Sequence, residues 1–162
     1  MGKLILAINA GSSSVKVSVY KGSPKDVEPP MLAEISVAGL TAPPAKLSYK
    51  RGDEKIKGKE IEGVDGQEGA FEYMLNYLLN DDGLPELKHK EDIEFACHRI
   101  VHGGDYDHAV RIDRDTFHNL EDLSDLAPLY VPSFRPSLSL FGHYAYQSPA
   151  ANHSYLVTTP AP

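Results

Sequence analysis

Leu4-Ile5-Leu6-Ala7-Ile8-Asn9-Ala10-Gly11-Ser12-Ser13-Ser14-Val15-Lys16-Val17-Ser18-Val19 is the stretch that decides the fold of this chain. Leu4 to Ile8 are all apolar with no helical spacing, which predicts a buried strand over residues 3–8. Gly11 and three serines break it. Val15, Val17 and Val19 then alternate with Lys16, Ser18 and Tyr20, which predicts a second strand. The first unit is therefore strand, small-residue turn, strand. The spacing Gly-x-x-x-x-Gly-Lys is absent and a strand follows the turn, so the unit is not a P-loop.

Working outward, Leu32, Ile35 and Val37 suggest a third strand after the Pro29-Pro30 loop. Residues 45–50 and 55–61 read as two exposed strands that pair. Phe71, Met74, Leu75, Leu78 and Leu79 fall at helical spacing and predict a helix over residues 67–80, stopped by Asp81-Asp82-Gly83 and Pro85. Ile93, Phe95 and Cys97 alternate with Glu94, Ala96 and His98 as a strand would, and a loop follows at His102-Gly103-Gly104-Asp105. Val110 and Ile112 suggest a short strand, and a second helix is expected from Arg114 to Asp125.

Composition narrows the function. The chain has 162 residues and a formal net charge of −7, which argues against a general nucleic-acid grip. The single cysteine, Cys97, excludes an internal disulfide framework. The apolar run at Leu4–Ile8 is too short for a signal h-region, and no run is long enough to span a bilayer. The sequon Asn152-His153-Ser154 is idle without secretion, and the expected address is cytoplasmic.

Two motifs carry chemistry. A transferred phosphoryl group needs backbone N–H donors, a cation and a magnesium ion. Gly11 lets the backbone approach closely, and turn amides with the hydroxyls of Ser12, Ser13 and Ser14 supply donors. Asn9 offers an amide to magnesium-bound water or substrate, and Lys16 can return over the phosphates. Strand–turn–strand cradling of phosphate is the habit of the actin, heat-shock-chaperone and sugar-kinase superfamily. Alone, the run also fits a Gly-Ser hairpin with a surface lysine. The second motif is Cys97-His98-Arg99-Ile100-Val101-His102-Gly103-Gly104, where Arg99 can aim its planar fork at a carboxylate or phosphoryl group. Alone, it reads as a structural arginine with two solvated histidines; a zinc site on His98 and His102 would need a helix there.

Together the motifs are specific. Residues 4–16 and residues 95–104, Phe-Ala-Cys-His-Arg-Ile-Val-His-Gly-Gly, resemble the two signatures of the acetate kinase family, in the same order and separation. The run Leu126-Ala127-Pro128-Leu129 also resembles it. The resemblance covers residues 3–129 and implies an α/β fold: a ribonuclease-H-like mixed sheet with flanking helices, of the actin-like ATPase superfamily. It implies interconversion of acetate plus ATP with acetyl phosphate plus ADP, using Mg2+. It gives Asn9 to the metal, Lys16 with Gly11, Ser12, Ser13 and Ser14 to the nucleotide phosphates, and Arg99 to the acyl substrate. Propionate or butyrate kinase activity, or pyrophosphate as donor, fits the same signatures.

The resemblance breaks after Leu129, where Tyr130-Val131-Pro132 stands in place of the family's His-Asn-Pro. From Tyr130 to Pro162, Arg135 is the only fixed charge, and five prolines interrupt any long helix. Residues 1–129 are thus expected to form a truncated first domain with open sheet edges, and residues 130–162 a disordered tail. Leu129-Tyr130-Val131 could encode a splice donor read through. The family's catalytic aspartate, transition-state histidine and second domain lie beyond the break, so the chain is expected to hold no catalytic residue, to be inactive alone and to lack the contact of the family homodimer. The alternative is a non-catalytic nucleotide-binding module whose tail docks on a full-length partner.

Overall fold

The computed structural model describes residues 2–23, 25–100, 108–111, 115 and 154–158. Among them, eight strands form one mixed sheet in the order β5-β4-β3-β2-β1-β6-β8-β7. The strands are β1 (Lys3–Ala10), β2 (Ser14–Gly22), β3 (Met31–Ala38), β4 (Ala45–Arg51), β5 (Glu54–Ile61), β6 (Ile93–Ile100), β7 (Val110–Arg111) and β8 (Ser154–Thr158). The long helix α1 spans Gly66–Leu79.

β1 to β5 form an antiparallel meander, because each connection is short enough for a hairpin or a brief loop. β6 returns parallel to β1 after the α1 crossover. This is the mixed α/β sheet that the family resemblance implies.

Alternation along the strands builds the core. Leu4, Leu6, Ile8 and Ala10 of β1 and Val15, Val17 and Val19 of β2 are all buried. Ala33, Ile35, Val37, Leu47 and Tyr49 extend the same face across β3 and β4. α1 covers it with Ala70, Phe71, Met74, Leu75 and Leu78. Phe71, Met74, Leu75 and Leu78 are four of the five predicted stripe positions; Ala70 joins them, Leu79 is only partly buried, and the helix is shifted by one residue at each end. Burying one such side chain contributes about 1.5–3 kcal/mol, so this face supplies most of the driving force for folding.

A polar cluster ties the end of α1 to β4. The Tyr49 hydroxyl and the Arg51 Nε both donate to Asp81 Oδ2, the latter at 2.9 Å. The Gly83 N–H donates to Asp81 Oδ1 at 2.9 Å, and Lys88 Nζ to the Asp81 carbonyl at 2.7 Å. Tyr49 also packs on Tyr77 of α1, with ring centroids 5.1 Å apart and tilted by 58°.

One expectation changes in part. Residues 154–158 do not belong to a disordered tail: they form β8, parallel to β6 and antiparallel to β7. Tyr155-Leu156-Val157-Thr158 is a run of strand formers, and β6 offers it an edge of unpaired backbone groups. The helix expected over residues 114–125, the loop at 102–105 and the rest of the 130–162 segment lie outside the described residues.

Candidate functional site: the first hairpin turn and its sheet face

The turn between β1 and β2 closes with the Gly11 N–H donating to the Ser14 carbonyl at 2.8 Å. Three consecutive turn carbonyls are engaged. The Gln67 Nε2 donates to the carbonyls of Gly11 and Ser12, at 3.2 and 2.9 Å. The Leu40 N–H donates to the Ser13 carbonyl at 3.1 Å. Gly66, with φ of 60°, brings the chain into α1 just before Gln67, a conformation that glycine adopts without strain.

The register places the predicted side chains. Asn9 of β1 stands opposite Lys16 of β2. Ile8 of β1 is paired with His98 of β6, so Arg99 follows one residue beyond that pair, beside Asn9. Since Ile8, Ala10, Val15 and Val17 point into the core, the alternating residues Asn9 and Lys16 belong to the opposite face. Arg99 alternates with buried His98 and joins them there. All three are exposed. Residues 9, 16 and 99 therefore meet on the face away from α1, next to the serine turn.

Lys16 is not idle on that face. Its Nζ pairs with Glu34 of β3 at 2.7 Å, and the Ser18 hydroxyl lies 3.5 Å from the same carboxylate oxygen. An incoming phosphate would have to compete with Glu34 for the ammonium.

Gly11 has a plain role. An added Cβ there would meet the Ser14 carbonyl oxygen at 3.5 Å, ordinary van der Waals contact, and its φ is not positive. The fold itself therefore tolerates a side chain at this position.

His98 departs from the structural alternative for the second motif, which had its histidines solvated. It is buried rather than solvated, and desolvation pushes its imidazole down to about 3, so it is neutral at ordinary pH. Its neighbour Cys97 is a free thiol whose pKa burial raises, which lowers its reactivity. His102, the other histidine of the motif, lies outside the described residues.

Among the described residues, no group of three or more His, Cys, Asp or Glu side chains could hold a metal ion. The donor set at the turn is one amide, Asn9, with serine hydroxyls nearby. That set fits a magnesium ion carried mainly by nucleotide phosphates and water, the usual habit of this ion. An apolar cavity of about 380 Å³ lies beside Leu40, lined by Pro43, Pro44, Ala45, Ile61 and Val64. Asn9, Gly11, Lys16 and Arg99 do not line it, so it is separate from the turn.

Gln67 and Glu34 were missed by sequence reasoning. Glu34 could have been found from the alternation of β3, which puts it on the face of Lys16. Gln67 left no local signal, because its partners are 56 and 55 residues away.

The first hairpin of the mixed sheet thus carries the serine turn, with an arginine on the parallel strand beside it. The acetokinase family profile matches residues 4–141, and the chain belongs to that family. A probable acetate kinase of Chaetomium globosum is 46% identical over 142 residues, covering 86% of this chain and 31% of that protein. One of Neurospora crassa is 48% identical over 133 residues, covering 80% and 28%. Porphyromonas gingivalis acetate kinase superposes with a TM-score of 0.71 at 26% identity, over 96% of this chain and 37% of that one. A propionate kinase of Francisella tularensis gives 0.69 at 26% identity, over 96% and 36%. The chain thus spans about three-tenths of the length of the curated relatives it matches. The match to residue 141 runs past Leu129, twelve residues beyond the point where the signature run stops.

Proposed function

We propose that this chain carries the phosphate- and acyl-binding half of an acetate-kinase-type site. The reaction is phosphoryl transfer between ATP and acetate: a carboxylate oxygen bonds to the γ-phosphorus as the bond to the ADP oxygen breaks. The observation that supports it best is the meeting of Asn9, Lys16 and Arg99 on one sheet face beside the serine turn. Lys16 and the turn amides bind the nucleotide phosphates. Arg99 orients the carboxylate with its planar fork. Asn9 would help hold the magnesium ion that accompanies the nucleotide, and that ion would offset charge on the phosphates.

The described site holds two cations, whereas phosphoryl transfer draws its rate from several charges placed around one group. The chain by itself is therefore a binding unit without turnover, working in the cytoplasm, and the groups that complete the reaction belong to the two-thirds of the relatives' length it does not span. Among the described residues no helix is long and apolar enough to cross a membrane. Calorimetry with Mg-ATP and with acetyl phosphate, beside a coupled assay, tests this. Binding without turnover supports it; magnesium-dependent turnover by the purified chain, or no binding of either ligand, would sink it. Propionate as acceptor is the second reading, supported by the propionate kinase among the similar structures.

A further inference from the structure

We propose that Gln67 is a positioning residue for the phosphate turn: it fixes the direction of the turn amides so that they face the side of the sheet carrying Asn9 and Lys16. This rests on the phosphate-binding reading of the turn given above.

A trans peptide holds its C=O and the following N–H antiparallel, and among the described residues the cis bond is at Pro43-Pro44, away from this turn. The Gly11 carbonyl therefore sets the Ser12 N–H, and the Ser12 carbonyl sets the Ser13 N–H. Both carbonyls are drawn to the Gln67 Nε2, at 3.2 and 2.9 Å. Both N–H groups consequently point away from Gln67. The Ser13 carbonyl, taken by the Leu40 N–H at 3.1 Å, sets the Ser14 amide by the same rule.

A carboxamide nitrogen has two hydrogens, and here each has one carbonyl to serve. A loose carbonyl could swing toward an incoming phosphate and repel it; Gln67 holds both on the far side. The restraint is firm because Gln67 sits at the start of α1, and Phe71, Met74, Leu75 and Leu78 anchor that helix in the core. The turn is thus organised before a ligand arrives, so binding need not spend energy on ordering it.

The test titrates magnesium pyrophosphate calorimetrically into the full chain and into Gln67→Ala and Gln67→Asn. Backbone amide shifts of Ser12 and Ser13 are followed by NMR. The Asn variant keeps a carboxamide but is one methylene shorter than the span to both carbonyls requires. The expected result is binding by the wild type with shifts at both amides. Affinity should fall about tenfold or more in both variants, the loss of roughly one hydrogen bond's worth of restraint, with cooperative unfolding retained. The amide signature should fade with it, which a loss of global stability alone does not produce. Equal affinity in wild type and variants overturns the role of Gln67 while leaving the phosphate reading intact. A wild type that binds no pyrophosphate overturns both. If both variants fail to fold, the wild type decides: shifts at Ser12 and Ser13 support the proposal, and binding that leaves those amides unmoved overturns it.

Discussion

Asn9 and Lys16 face one another across the β1–β2 pair, seven residues apart in sequence and directly opposite in register. The pairing sets the amide and the ammonium beside the turn, one on each of its two strands. It also places Lys16 within reach of Glu34 at 2.7 Å.

That ion pair predicts opposite effects from its two ends. Lys16→Ala should weaken Mg-ADP binding and reduce its salt dependence. Glu34→Gln should strengthen binding up to about fivefold, since a half-exposed pair is worth roughly 0.2–1 kcal/mol and the ammonium no longer has to leave it. Calorimetry at two ionic strengths checks both. Unchanged affinity in Glu34→Gln would show that Lys16 does not meet the phosphates.

Gly11→Ala separates binding from folding. The Cβ fits at 3.5 Å from the Ser14 oxygen, and removing a glycine from a compatible position stabilises by about 0.4–1 kcal/mol through the unfolded chain. The thermal midpoint should hold or rise slightly while affinity for Mg-ADP falls. A lower midpoint with unaltered binding would mean that the glycine serves the fold.

Acid should weaken the fold through His98. Its folded pKa, pushed down to about 3 by burial, lies below the unfolded value near 6.5. The stability it contributes is fully present above about pH 6.5. It is lost as pH falls, because the unfolded chain takes the proton and the folded one does not, at up to about 1.4 kcal/mol per pH unit. Urea titrations at about pH 7.5 and pH 5 should differ by roughly 2 kcal/mol. His98→Leu should remove most of that difference, and an equal pH dependence in this variant would contradict the assignment.

Asp81 is the expected weak point of the α1–β4 junction. Burial alone would raise its carboxyl, but the Tyr49 hydroxyl, the Gly83 amide and the Arg51 guanidinium hold it below the ordinary value. The same contact, with burial first, pushes the Tyr49 phenol well above its ordinary range. Asp81→Asn keeps the shape but removes the charge, and should cost about 1–3 kcal/mol in urea unfolding. Phosphate binding at the distant turn should not change. A variant as stable as the wild type would show that the cluster is a surface contact of no consequence.

Much of this was legible in the residues. The alternation of Val15, Val17 and Val19 and the stripe from Phe71 to Leu78 are local patterns, and both appear in the core as expected. The serine turn was legible because its residue types announce a break. The burial of His98 was not legible: within β6 it alternates with Cys97 and Arg99, and only the pairing of that strand with β1 and β8 tells which side is covered. β8 was lost for a different reason. Four strand-forming residues, Tyr155 to Thr158, sit in a segment whose prolines and serines dominate any average.

By itself, the sequence determined the elements and the chemistry available: a strand–turn–strand with Asn9, Gly11 and Lys16, an apolar helix, and an arginine near the end of a later strand. These depend on periods of two or 3.6 residues and on residue type, which act over a few positions. Tertiary structure alone decided that Asn9, Lys16 and Arg99 share a face, that Gln67 restrains the turn, that His98 is buried and that β8 closes on β6. Each of these depends on strand register or on a hydrogen bond between residues far apart. Register is set by burial of the whole sheet, and a slip of one residue would send every one of these side chains to the other face.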